Sequence, residues 1–248
     1  MRSYGQFCPI ARASEVLAER WTPIIVRNIL EGCQTFNEIA AGAPGLSRAL
    51  LARRLHELEL AGVIEIRPKP SGRGSLYLPT ESGRAVSPVL QAFALWADRF
   101  MDIRPEHSDP GVVLWSWSNH LRRDRVPRGR FVVRFDYLQR QRHTRTWLLV
   151  EDGVGELCNF DPGFGDDIVV TVTDALAFAR WHLGITPWPV LLRQEAVRLE
   201  GPSDLCRALP GWNGQPELSA WLRAGGPAGL AGPPPPGLAR ADSAPSSA

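Results

Sequence analysis

The chain opens with apolar residues recurring at three- and four-residue spacing, the period of a helix lying against a core. On this pattern Ile10 to Leu17, Trp21 to Glu31, Thr35 to Ala41 and Ser47 to Ala61 read as four helices. Gly32, Gly42 and Gly62 follow the second, third and fourth, at positions where glycine commonly stops a helix. Ser47 offers a hydroxyl to the first-turn amides of the fourth. The period then switches to two. Val63-Ile64-Glu65-Ile66-Arg67 and Ser75-Leu76-Tyr77-Leu78 alternate as paired strands, joined by the basic loop Pro68-Lys69-Pro70-Ser71-Gly72-Arg73-Gly74. Thr80 is expected to cap one long helix running to about Phe100, kinked at Pro88.

From Gly111 the pattern changes again. A helix carrying Trp115 and Trp117 is expected to end near Asp124. Arg130 to Tyr137 alternates, with Phe131, Val133, Phe135 and Tyr137 toward one face, and Thr144 to Val150 pairs with it. Asp152-Gly153 marks a hairpin turn into a third strand, Gly155 to Phe160. Ile168 to Val172 is a fourth strand. Thr173 is expected to cap a helix over Asp174 to Leu183, stopped at Gly184. A helix over Trp188 to Gln194, a fifth strand over Ala196 to Gly201 and a short helix over Ser203 to Leu209 complete an α+β layout with a five-stranded sheet.

The 248 residues accommodate two domains, expected over 1–104 and 109–223. Residues 224–248, rich in Gly, Pro, Ala and Ser, carry too little apolar surface to fold and are expected to be disordered. The composition, 44% hydrophobic and 22% charged, is that of a soluble globular chain. No apolar run is long enough to span a bilayer, and Met1 to Pro9 lacks a signal-peptide core, so a cytoplasmic location is expected. Net charge is only +2, which makes local charge distribution the informative quantity. Cys8, Cys33, Cys158 and Cys206 are scattered and the histidines form no ligand spacing, so neither a metal site nor a disulfide framework is expected. No nucleophile motif, phosphate loop or dinucleotide fingerprint appears, which predicts a non-enzyme without a cofactor.

Charge does concentrate on the fourth helix. At about 100° per residue, Leu51, Leu55 and Leu58 share a core face, with Leu50 and Ala61 at its edge. The opposite face carries Ser47, Arg48, Ala49, Ala52, Arg53 and His56: small and basic, as entry into a major groove requires. Lys69, Ser71 and Arg73 follow at a hairpin tip that can lie along the backbone or in the minor groove. Either element alone also reads as solvated surface. A helical unit followed at once by a basic hairpin points to double-stranded DNA, with recognition helix 47–61 and wing 67–75.

The same stretch resembles the HxlR family of winged helix-turn-helix regulators. The likeness is carried by Cys8-Pro9-Ile10, Arg20-Trp21-Thr22, Phe36-Asn37-Glu38-Ile39, Leu46-Ser47, Leu51, Arg54-Leu55, Glu57-Leu58-Glu59, Gly62-Val63-Ile64 and Leu78 to Arg84. It implies a mainly α winged helix-turn-helix and a DNA-binding transcription regulator acting as a homodimer. Partner contacts would come from the first helix and from Val86, Val89, Leu90, Phe93 and Trp96. Two recognition helices about 34 Å apart would read a near-palindromic site. Alanine at 49 and 52 departs from the polar residues common there in the family, which shifts base readout toward Arg48 and Arg53. The resemblance also makes Cys8 a candidate redox-sensing thiol; a small buried hydrophobe is the other reading of it.

The second half resembles the sterol carrier protein type 2 superfamily through Asp166 to Val172 before a helix, His182-Leu183-Gly184 after it, and Val197 to Pro202. This implies a pocket for a hydrophobic small-molecule effector, with Trp115, Trp147, Phe178, Trp181 and Trp188 as lining residues, though each also reads as core filling. Arg122, Arg123, Arg125, Arg128 and Arg130 form a basic stretch that fits DNA phosphates, an acidic head group, or plain solvated surface. The competing readings of function are a redox-responsive regulator acting through Cys8 and a lipid carrier whose first domain serves only to dimerise.

Overall fold

The computed structural model describes residues 3–214 apart from 71, 102–103, 105–106 and 140–141, so Ser71 and the 224–248 tail lie outside the described residues. The chain divides into two compact units, Met1–Leu90 and Gln91–Ala248. This division falls inside a helix, upstream of the 104–109 boundary expected from composition.

The first unit holds α1 (Pro9–Leu17), α2 (Thr22–Leu30), α3 (Phe36–Ala41) and α4 (Arg48–Leu60), then the hairpin β1 (Ile64–Pro68) and β2 (Ser75–Pro79). Ile25, Ile29, Ile39, Leu51, Leu55, Leu58 and Ile64 are buried as its core. Local chemistry sets the ends. Thr35 and Glu38 form a reciprocal capping box at α3: Thr35 Oγ1 accepts from the Glu38 amide, and Glu38 Oε2 accepts from the Thr35 amide at 2.9 Å. Ser47 Oγ accepts from the Leu50 amide and caps α4. Gly32 and Gly62 adopt positive φ after α2 and α4, whereas Gly42 ends α3 with φ of −80°.

The long helix expected after Thr80 is instead two. Thr80 caps the single turn α5 (Glu81–Arg84), and α6 (Ser87–Phe100) starts afresh with Pro88 in its first turn. A continuous helix would drive the Pro88 ring into the Arg84 carbonyl and lose an amide, so the chain breaks where a kink was expected. Thr80 Oγ1 also donates to the Gly62 carbonyl at 2.6 Å, tying the cap of α5 to the turn between α4 and β1.

The second unit carries α7 (Pro110–Asn119), β3 (Arg130–Gln139), β4 (Arg142–Glu151), β5 (Val154–Cys158), β6 (Ile168–Val172), α8 (Ala175–His182), α9 (Trp188–Arg193), β7 (Val197–Glu200) and α10 (Ser203–Ala208), which runs into a 3-10 turn, Leu209–Trp212. The strands form one mixed sheet in the order β5-β4-β3-β6-β7, with β3 and β6 parallel and the other pairs antiparallel. Asp152 and Gly153 both take positive φ, the conformation of a tight hairpin turn between β4 and β5. Val133, Phe135, Tyr137, Leu148, Val150, Ile168, Val170 and Val172 face one side and pack with Leu114, Trp117, Phe178, Trp181, Leu191 and Trp212.

Two expected ends move. α7 stops at Asn119, not near Asp124, because Leu121 leaves the helix to bridge Asn213 and the Arg122 amide donates to the Trp212 carbonyl. The cap of α8 is Asp174, whose Oδ1 accepts from the Ala177 amide; Thr173 Oγ1 instead donates to the Glu195 carbonyl at 2.5 Å. Among the described residues no helix is long and apolar enough to cross a membrane.

Gly83 lies so close to the residue before β1 that a Cβ there would sit 2.1 Å from the Val63 carbonyl oxygen. Gly83→Ala is therefore expected to cost the first unit ~1–3 kcal/mol through overpacking against backbone that cannot yield. Urea denaturation of the variant beside wild type measures it.

Candidate nucleic-acid interface

α4 is fixed by its inner face. Leu51, Leu55 and Leu58 are almost fully buried, and Arg54 stands among them at 7% exposure. Arg54 extends its guanidinium to Glu57 Oε2 and Glu19 Oε2, both at 2.6 Å. Glu57 also accepts from Arg53 at 2.9 Å. Burial pushes the Glu57 carboxyl upward, but hydrogen bonds from Arg53 and Arg54 outweigh it, and the pKa falls below the ordinary value. Sequence reasoning missed Arg54 as a structural ion. Its spacing, three beyond Leu51 and four before Leu58, already put it on the core side.

The outer face is open. Ser47, Arg48, Ala49, Ala52, Arg53 and His56 are all exposed. Two arginines on it are held by neighbours. Arg48 donates to Asn37 Oδ1 at 3.0 Å and lies 4.8 Å from the centre of the Phe36 ring, which links α4 to the first turn of α3. Arg53 stays 68% exposed at its side chain despite its bond to Glu57. His56 lies 3.5 Å from Glu59.

The hairpin places Lys69 and Arg73 at its tip, with the Lys69 amide donating to the Gly74 carbonyl at 3.1 Å. Gly72 and Gly74 take φ of 83° and 118°, values that L side chains rarely adopt, so the tip depends on them. Arg73 is exposed and Lys69 half-buried. Lys69 also helps draw down the Glu38 carboxyl, where burial is the larger, opposing influence and the Thr35 and Gln34 amides prevail.

Helices with a capped, outward-facing basic helix and a two-stranded hairpin directly after it make a winged helix-turn-helix, a DNA-binding fold. The HxlR-like helix-turn-helix profile matches residues 16–105. The chain is 38% identical over 101 residues to the uncharacterized HTH-type transcriptional regulator YvaP of Bacillus subtilis, across 40% of this chain and 93% of that one. It is 34% identical over 97 residues to the HTH-type transcriptional regulator YodB of the same organism, across 38% and 87%. A solved structure of YodB in its reduced form is 32% identical over 39% of this chain and 97% of that chain, with a TM-score of 0.35. The chain belongs to the HxlR-like helix-turn-helix family, and it is a DNA-binding transcription regulator.

The five aromatic side chains expected to line a pocket do not surround one space. Phe178, Trp181 and Trp188 stack in sequence, with ring centroids 5.2 and 4.6 Å apart, inside or against the core. Trp147 neighbours core-facing Leu148 on β4 and so points to the other face of the sheet, where its Nε1 donates to Asp166 Oδ1 at 3.0 Å. Trp115 is buried but lies outside the core cluster. Trp117, Tyr137 and Trp212 take the central places instead, and Trp117 Nε1, Tyr137 Oη and Trp212 Nε1 are buried without a hydrogen-bond partner among the described residues.

His182 closes this unit. Its Nδ1 lies 2.7 Å from Asn213 Oδ1 and its Nε2 2.8 Å from Ser116 Oγ, joining α8 to α7 and to the segment after the 3-10 turn. Burial holds its pKa down at about 4, with the Asn213 hydrogen bond opposing and nearby His120 adding to the depression. Of the cysteines, Cys8 is half-exposed at the N-cap of α1. Burial pushes Cys33 up to about 12 and raises Cys158 and Cys206, which disfavours their thiolates. Among the described residues no cluster of His, Cys, Asp or Glu suits a metal ion.

Two outcomes follow from these networks. Glu57→Ala leaves the buried Arg54 with Glu19 alone and is expected to cost about 2–3 kcal/mol in chemical denaturation, with Glu57→Gln costing less. For His182, the imidazole stays neutral when folded down to about 4, whereas the unfolded chain takes up a proton below 6.5. Stability present above pH 6.5 is therefore lost as pH falls toward 4, by about 3 kcal/mol in all. Unfolding of wild type and His182→Gln across that range checks the sign: the difference between them shrinks on acidification.

Proposed function

We propose that residues 1–104 form the DNA-binding domain, with α4 in the major groove and the wing at 67–75 on the phosphate backbone or minor groove. Arg48 and Arg53 fork onto guanine or phosphate, Ser47, Ala49 and Ala52 permit close approach, and His56, Lys69, Ser71 and Arg73 add contacts. The observation that carries this reading is the two-sided character of α4: one face closed by leucines and the Arg54 pairs, the other exposed and basic. Binding exchanges the Asn37 and Glu57 partners of Arg48 and Arg53 for DNA, so both arginines arrive already positioned.

The working form is a homodimer. Val89, Phe93 and Trp96 of α6 are exposed apolar residues and suit contact with a partner; separately, Phe7 just before α1 and Ile10 within it are exposed and apolar too. Val86 is buried and Leu90 half-buried, so they contribute less. Residues 109–223 act as a sterol-carrier-like sensor of an apolar effector. Three buried polar atoms, Trp117 Nε1, Tyr137 Oη and Trp212 Nε1, favour an effector that carries a hydrogen-bond acceptor. A second reading rests on Cys8, a half-exposed thiol at the N-cap of α1, whereas burial disfavours the thiolates of Cys33, Cys158 and Cys206. If DNA affinity of Cys8→Ser still responds to an oxidant as wild type does, that reading fails.

Neutralising Arg48, Arg53 and Lys69 together is expected to weaken duplex binding and flatten its salt dependence, by up to about 2.7 in the slope of log K against log salt per protomer. Anisotropy titrations at graded salt measure this. A slope equal to wild type would remove α4 and the wing from the interface.

A further inference from the structure

We infer that the segment from Arg122 to Arg128, in the second unit, is an additional docking surface for the phosphate backbone of duplex DNA. The inference rests on the regulator reading but involves none of the residues that carry it. Four arginines, Arg122, Arg123, Arg125 and Arg128, stand exposed within seven residues, against a single carboxylate, Asp124. Asp124 is shared by Arg122 at 3.0 Å and Arg125 at 3.5 Å. Arg123 and Arg128 have no acidic partner among the described residues. By contrast, Arg130, Arg134, Arg145 and Arg198 of the same unit each pair with a carboxylate. Arg180, Arg193 and Arg207 are exposed as well, but singly along the chain; this segment gathers four arginines within seven residues.

The segment is also pinned, which separates it from a loose basic loop. Leu121 bridges Asn213, and the Arg122 amide donates to the Trp212 carbonyl at 2.9 Å. The Arg125 and Val126 amides both donate to the Arg122 carbonyl, and Val126 is buried in the core. Downstream, the Gly129 amide donates to Asp152 Oδ1 and the Asp152 amide donates back to the Gly129 carbonyl. Arg123 lies over the turn glycine Gly153, where even an added methyl group would meet its Cβ at 3.2 Å. The arginines are thus held on a fixed backbone, and ordering them on a ligand costs less entropy than it would on a mobile tail. The guanidinium fork matches phosphate oxygens two at a time. The chain already binds one polyanion, duplex DNA, and that makes its backbone the occupant favoured over other anionic surfaces.

The test uses the full chain with Arg122, Arg123, Arg125 and Arg128 changed together to glutamine, and a second variant with all four changed to lysine. Both retain the aliphatic carbons that pack over Gly153. Anisotropy titrations on a duplex at graded salt are expected to give the glutamine variant a slope shallower than wild type by up to about 2.7, one counterion for each net positive charge. The lysine variant is expected to restore most of it. Wild-type slope in the glutamine variant would overturn the inference and leave the α4 reading intact. The same variant losing binding to phosphatidylglycerol vesicles while keeping its duplex slope would also overturn it, in favour of a membrane surface. Failure of wild type to bind duplex at any salt would overturn both readings.

Discussion

The rotation of α4 about its own axis is decided by what it buries. Three leucines would leave some freedom, since Leu50 and Ala61 at the edge are only half-buried. Arg54 removes it. A guanidinium at 7% exposure must reach its carboxylates, and Glu57 and Glu19 meet it at 2.6 Å. Removing either partner strands charge in a poorly solvated place, so the pairing specifies one orientation more strongly than it adds net stability. With that orientation set, Ser47, Arg48, Ala49, Ala52, Arg53 and His56 have only the outside left to occupy.

The rest of the first unit supports this face. The capping box starts α3 where Asn37 and Phe36 can hold Arg48, so a local hydrogen-bond motif becomes part of how a surface arginine is aimed. Thr80 and Gly83 bring α5 against Gly62 and Val63, just before β1, which fixes the root of the hairpin whose tip carries Lys69 and Arg73. The second unit is built on another principle. Its helices and sheet enclose a core rich in tryptophan and phenylalanine, and His182 ties three separate segments across it.

Much of this was legible in the sequence. Helix and strand periods located nearly every element, because apolar spacing reports directly which side of an element is buried. The misses have different causes, some remote in the chain and some local. α7 ends early because Trp212 and Asn213 claim the backbone after it. The break at Ala85 and Val86 was foreshadowed by Pro88, but a kink and a break differ only in whether the freed groups find other partners. Trp147 was grouped with Phe178 and Trp181 because aromatic character carries no sheet face; its neighbour Leu148 shows which side it takes. The outer face of α4 was read correctly as exposed, while the tethering of Arg48 to Asn37 across eleven residues was not visible in spacing alone.

The most direct measurement of the central claim is selection of binding sites from a random duplex pool by wild type, Arg48→Ala and Arg53→Ala. If the outer face of α4 reads sequence, wild type enriches two inverted half-sites about one helical turn apart, and each substitution relaxes the preferred base at a matching position in both halves. Recovery of one unchanged motif by all three proteins would contradict the account.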